Sequence, residues 1–214
     1  MIIAVDGPAA SGKGTIGAAL ARHYGLPYLD TGLLYRAVGM AAARFEDTPE
    51  FEAEAIGAAR ALDPDLMDRA GLSSAHAGVL ASKAAVFPEV RAALFGHQRN
   101  FALQPGGAVL DGRDIGTNIC PEADVKIFVV ADQAARIARR AEQLRANGRP
   151  VDRAALAAEI AERDERDRSA SHGGFRRAED AHLLDTTSLD IESAIRAAVE
   201  IVDAAMARKA GRQA

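Results

Sequence analysis

Short unbroken apolar runs punctuate the chain, and between them apolar residues recur at helical spacing. "IIAVD" (2–6), "PYLD" (27–30), "AVLDG" (108–112), "VKIFVVA" (125–131) and "HLLDT" (182–186) are the runs. They do not alternate apolar with polar, as strands covered on both faces do not. The segment from Lys13 to His23 predicts a helix, with Ile16, Ala19, Leu20 and Tyr24 on one face. "TGLLYRAVGMAAA" opens a second helix. A last one is predicted from about Leu189 to Met206, where Ile191, Ala194, Ile195, Ala198, Val199, Val202 and Met206 form a stripe. Strands alternating with helices give an α/β fold, a central parallel sheet covered by helices on both faces. The stretch between Thr48 and Leu103 is helical without a clear strand and predicts a subdomain. Residues 145–181 hold "NGRP", "SASHGG" and many charges, and predict a mobile, arginine-rich excursion. No internal repeat or low-complexity tract interrupts this order.

Composition narrows the picture. The 214 residues suit a single domain spanning 1–214, with 49% hydrophobic and 26% charged residues. A net charge of −4 gives no general attraction to nucleic acid or an anionic membrane, so neither is an expected partner. The single cysteine, Cys120, excludes an intramolecular disulfide and a cysteine metal cluster. No apolar run approaches membrane-spanning length, and the chain opens on a strand-like run without a basic leader. A soluble, cytoplasmic protein is expected.

The glycine-rich stretch between the first strand and first helix supplies the chemistry. "GPAASGKGT" comprises Gly7, Pro8, Ala9, Ala10, Ser11, Gly12, Lys13, Gly14 and Thr15. It fits G-x-x-x-x-G-K between a strand and a helix, the context in which backbone N–H groups surround phosphate oxygens. The helix dipole and the Lys13 ammonium favour the same anion. An ordinary loop has Ser or Thr directly after the lysine, where the hydroxyl ligates Mg²⁺. Here Gly14 follows, then Thr15.

Two further motifs follow strand-like runs, where doubly wound sheets gather their ligands. "LDTGLLYR" offers Asp30, Thr31 and Arg36; Thr31 equally suits a helix cap and Arg36 a surface charge. "VLDGRDIG" crowds Asp111, Arg113 and Asp114 together. Asp111 stands where a carboxylate orients Mg²⁺ and its waters, and Arg113 offers a fork for a phosphate. Local ion pairs in a charged turn are the plainer reading.

With these motifs the chain resembles the bacterial type of cytidylate kinase, from Ile2 to about Val202, within the nucleoside monophosphate kinases. The resemblance implies a P-loop NTPase fold, with an acceptor-nucleotide region at about 31–105 and a lid at about 145–181. It implies transfer of the ATP γ-phosphoryl to CMP or dCMP, with Mg²⁺ held by phosphates and water. By resemblance Lys13, Asp111, Arg113 and Arg163 serve catalysis, and residues 7–15 bind ATP. Ser82, Arg91 and Asp114 contact cytosine, Arg36 and Arg113 hold the acceptor phosphate, and Thr31 lines that pocket. Arg163 and Asp167 match the pair that binds the ribose.

Helical geometry bears on that pair. At about 100° per residue, Leu156, Ile160, Arg163 and Asp167 fall within a stripe of ~60°, so both charges should point inward or into the cleft. A solvated ladder, Glu159–Arg163–Asp167, is the competing reading. The family's arginine three positions after the aspartate is Ala170 here, with Arg168, Arg176 or Arg177 as substitutes. A strand-rich insert of longer members is also absent. A kinase of UMP or another small metabolite, and a nucleotide-binding module without turnover, remain alternatives. A guanine-nucleotide switch would carry N-K-x-D, and no Asn-Lys pair occurs. A monomer is expected.

Overall fold

The computed structural model describes residues 1–62, 71–72, 74–146, 148, 150–169 and 176–213. They group into two compact units, Met1–Leu29 with Ala102–Ala214, and Asp30–Phe101.

The larger unit is built on a five-stranded sheet, in the order β2-β3-β1-β4-β5. The strands are β1 (Ile2–Asp6), β2 (Tyr28–Asp30, whose last residue belongs to the smaller unit), β3 (Ala108–Gly112), β4 (Val125–Val130) and β5 (His182–Asp185). β1 pairs in parallel with β3 and β4, and β4 with β5. All of β3 is buried and β1 nearly so, which is why both read as unbroken apolar runs. Helices α1 (Lys13–Tyr24) and α8 (Ile191–Gln213) cover the sheet. Ile16 and Leu20 of α1 and Ala194, Ala198 and Val202 of α8 join Ile3, Val5, Val109, Ile127 and Val129 in one core. Gly25 ends α1 in the left-handed region, at φ +65°, with its N–H bonded to Ala21.

One expectation is borne out here and another corrected. Residues 153–169 form a regular helix, α7 (Arg153–Ser169), the geometry on which the stripe of Leu156, Ile160, Arg163 and Asp167 depends. It packs Leu156 and Ile160 on Ala141 of α6 (Gln133–Ala146), a helix the apolar pattern did not predict. The last helix also runs on to Gln213, and Ile191 leaves its stripe, 67% exposed. Ala, Arg and Lys keep helix propensity beyond the last packed residue. Ile191, in the first turn, tilts toward the open end of its helix.

The smaller unit is helical: α2 (Thr31–Ala41), α3 (Phe51–Arg60), α4 (Ala75–Ala84) and α5 (Pro88–Ala102, whose last residue belongs to the larger unit). α2 and α4 approach closely at Gly39, where a Cβ would come within 2.6 Å of the Leu80 backbone. Ser74 caps α4, accepting the Ala77 N–H at 3.0 Å.

Candidate active site

Strand β1 delivers the chain into the glycine loop, and local sterics fix its path. A Cβ at Gly7 would lie 2.4 Å from the Val129 carbonyl of β4, so only glycine fits. Gly12 takes φ +94° and hands over to α1 at Lys13. The loop's carbonyls are claimed from the protein side. Gly7 O accepts from Arg113 Nη1 at 2.9 Å, Ala9 O from Arg136 Nη1 at 3.3 Å, and Ser11 O from Thr186 Oγ1 at 3.0 Å. Arg139 Nη1 also reaches Ser11 O, at 3.3 Å, while its guanidinium bonds the Thr186 hydroxyl and carbonyl. A loop held this way is left to offer N–H groups to an anion.

Beside the loop, Lys13 Nζ stands 3.7 Å from Asp111 Oδ2, and the Asp111 side chain is only 2% exposed. The second Asp111 oxygen accepts the Tyr28 hydroxyl at 2.7 Å. Among the described residues no three His, Cys, Asp or Glu side chains gather into a metal cage. One buried carboxylate next to a phosphate-binding loop fits Mg²⁺, which keeps much of its water and takes its other ligands from nucleotide phosphates.

The turn after β3 carries Arg113 and Asp114. It continues as a π-helical turn, Ile115–Ile119, closed by the Cys120 N–H bonding Ile115 O at 2.7 Å. Cys120 itself is fully buried. Asp6, at the end of β1, accepts the N–H groups of Ile115 at 2.9 Å and Gly116 at 2.8 Å. Its pKa is raised to about 6: burial outweighs the two N–H bonds, and Asp114 adds to the rise while Arg113 opposes it. The folded state therefore holds this proton more tightly than the unfolded chain. The stabilisation is full below the ordinary value near 3.8 and disappears as pH rises through about 6. Urea titrations of wild type and Asp6→Asn should show it. The stability difference is expected to move toward wild type by on the order of 2 kcal/mol between pH 7 and pH 4. A difference that is flat with pH would refute the assignment.

Helix α7 meets this turn through charges. Arg113 Nε donates to Asp167 Oδ2 at 2.7 Å, and Arg136 grips Asp164 through both terminal nitrogens, at 2.9 and 2.6 Å. Leu156 and Ile160 are buried, and Arg163 and Asp167 are half-buried on the same stripe. Asp167 thus turns to Arg113 on another element, while Glu162 and Arg166 make an i,i+4 pair at 3.7 Å. Ala170 lies outside the described residues, and Arg176 and Arg177 are exposed.

The remaining predicted residues belong to the helical unit. Thr31 is the first residue of α2 and buried, with Asp30 in the cap position. Arg36 is no loose surface charge: its Nη1 donates to Leu72 O at 2.8 Å and Ser74 O at 3.1 Å. Ser82 donates to Gly78 O at 3.1 Å within α4, and Arg91 is half-buried on α5.

Sequence reasoning missed Arg136, Arg139 and Tyr28. The two arginines occupy the loop-facing side of α6, a helix the sequence reading did not predict. Their signal was the spacing of three residues on a segment following a buried strand. Tyr28 passed as an ordinary strand residue. The signal for it was Gly17 inside α1, where a Cβ would lie 2.9 Å from the Tyr28 ring.

A strand, a glycine loop and a helix N-terminus, with a lysine and a buried strand-end aspartate, define a P-loop phosphate-binding protein. Among the described residues no helix is long and apolar enough to cross a membrane. The profile of the cytidylate kinase family matches residues 3–204. A cytidylate kinase of Rhodopseudomonas palustris (strain BisB18) is 55% identical over 213 residues, covering 100% of this chain and 99% of that protein. One of Methylocella silvestris is 55% identical, covering 96% of this chain and 95% of that one. The solved structure of an uncharacterized protein from Eubacterium ventriosum shares the fold, with a TM-score of 0.58 at 15% identity over 95% of this chain and 98% of that one. The chain belongs to the cytidylate kinase family.

Proposed function

We propose that this protein transfers the γ-phosphoryl of ATP to CMP and dCMP, giving ADP and the nucleoside diphosphates. The family supports this reading, and the juxtaposition of Lys13, buried Asp111 and the loop carries it at the level of the site. The loop from Gly7 to Thr15 cradles the ATP phosphates, and Lys13 neutralises charge on the transferring group. Asp111 would orient the water shell of Mg²⁺, and the metal would supply further neutralisation of phosphate charge. Arg113 and Arg163 stabilise the phosphoryl group, with Arg36 also holding the acceptor phosphate. Thr31, Ser82 and Arg91 line the CMP site, and Asp167 with Arg163 holds the ribose. The acceptor phosphate is already anionic, so no side-chain base is required. We further propose that the enzyme works as a cytoplasmic monomer, without nucleic acid or membrane.

Asp114 is the residue assigned to choose cytosine over uracil. An ionised carboxylate only accepts hydrogen bonds. Cytosine presents an N4 amino donor, whereas uracil presents a carbonyl oxygen there. A site built for one pattern rejects the other because a buried polar group is left unpaired. That costs roughly 1–3 kcal/mol, or about tenfold to a few hundredfold in preference. Steady-state kinetics with a panel of acceptors should therefore show CMP and dCMP preferred. Asp114→Ala should lower kcat/KM for CMP far more than for UMP. A CMP/UMP ratio unchanged by the substitution would leave Asp114 as a mere support for Arg113.

A further inference from the structure

We propose that the Tyr28 hydroxyl stands in for the hydroxyl that phosphate-binding loops ordinarily carry after their lysine, and that it positions the Asp111 carboxylate. In the usual loop, Ser or Thr follows the lysine and shares Mg²⁺ with the strand-end aspartate. Here Gly14 follows Lys13, so that hydroxyl is missing. Strand β2 brings a phenol to the same place from another element. Its oxygen donates to Asp111 Oδ1 at 2.7 Å and lies 3.2 Å from the Gly14 carbonyl. A Cβ on Gly14 would sit 3.6 Å from the Tyr28 oxygen and 3.8 Å from Asp111 Oδ2. A loop hydroxyl at position 14 would thus extend into the neighbourhood that the phenol now fills.

A second observation is independent of the loop motif. Gly17 lies one turn further along α1, on the face of Gly14. A Cβ there would come within 2.9 Å of Tyr28 Cε2 and 3.5 Å of Asp111 Cβ. Glycine inside a helix is destabilising, and its absent side chain is what lets the ring reach Asp111. With Oδ1 bonded to Tyr28, the carboxylate turns Oδ2 toward Lys13, at 3.7 Å. Tyr28 acts through Asp111 and is a positioning residue. Phenylalanine would serve equally if only the ring's packing mattered.

This inference rests on the kinase reading, and its test separates the two. Tyr28→Phe removes the hydroxyl and keeps the ring. The expected result is a fall in kcat of about tenfold, the scale of a hydrogen bond to a charged group, with KM for CMP within about twofold. Calorimetry of ATP binding with and without Mg²⁺ is the second readout. The gain in affinity from Mg²⁺ should shrink in the variant. Adding Gly14→Ser to Tyr28→Phe restores a hydroxyl at the loop and should recover most of both losses. Wild-type kcat and Mg²⁺ dependence in Tyr28→Phe would overturn the proposal, and so would a double variant no better than the single one. A wild type that fails to phosphorylate CMP would remove the functional reading instead. The calorimetric comparison would still decide the part assigned to Tyr28.

Discussion

Lys13→Ala is expected to lower kcat with CMP and ATP by about two to three orders of magnitude, the scale of losing one preorganised charge on a developing transition state. Lys13 opens α1, so in the proposed reading its ammonium and the helix N-terminus act on the same phosphates. Its ammonium stands 3.7 Å from Asp111 Oδ2, longer than a tight ion pair. The fold should survive, because Asp111 retains the Tyr28 hydroxyl and β3 is held along its length by β1. Circular dichroism and thermal unfolding check that point, and steady-state kinetics the first. A kcat within a few-fold of wild type would remove the loop from catalysis.

Arg113→Ala should be the second large loss, with kcat/KM for CMP down by about a hundredfold or more. The guanidinium is a junction: Nε bonds Asp167 on α7 and Nη1 bonds Gly7 at the start of the loop. Among the described residues Nη2 makes no hydrogen bond, which leaves a donor pair for the acceptor phosphate. Alanine removes that donor and strands the half-buried Asp167 carboxylate. Arg113→Lys keeps the charge but cannot serve both protein partners and a phosphate with one fork. It is expected to recover only part of the loss. Kinetics of the three proteins with CMP varied at saturating ATP will show the order. A lysine variant equal to wild type would mean that charge alone matters at this position.

Most of the sheet was legible because parallel strands buried on both faces leave continuous apolar runs. The boundaries of β1 and β3 follow directly from "IIAVD" and "AVLDG". The loop was legible because its glycines have no packing purpose. α6 was not, since Arg136 and Arg139 face the loop where leucines would have marked a helix. α7 was half legible: its stripe of Leu156, Ile160, Arg163 and Asp167 was visible, but the surrounding charge and glycine hid where the helix begins and ends. Tyr28 was hidden for a different reason. Its part depends on a contact with Asp111, 83 positions away in the chain, and no local pattern records such a meeting.

The buried thiol behind the π-helical turn has a practical consequence. Cys120 is the sole cysteine of the chain and is fully covered. A thiol reagent can reach it only when the local structure opens, and its own N–H bond to the Ile115 carbonyl ties it to the turn that follows Asp114. The rate of labelling under native conditions thus times the excursions of the segment that presents Arg113 and Asp114. Nucleotide held at those residues, as proposed above, is expected to slow it. The unmodified protein carries its own clock for that motion, with no introduced dye or engineered cysteine.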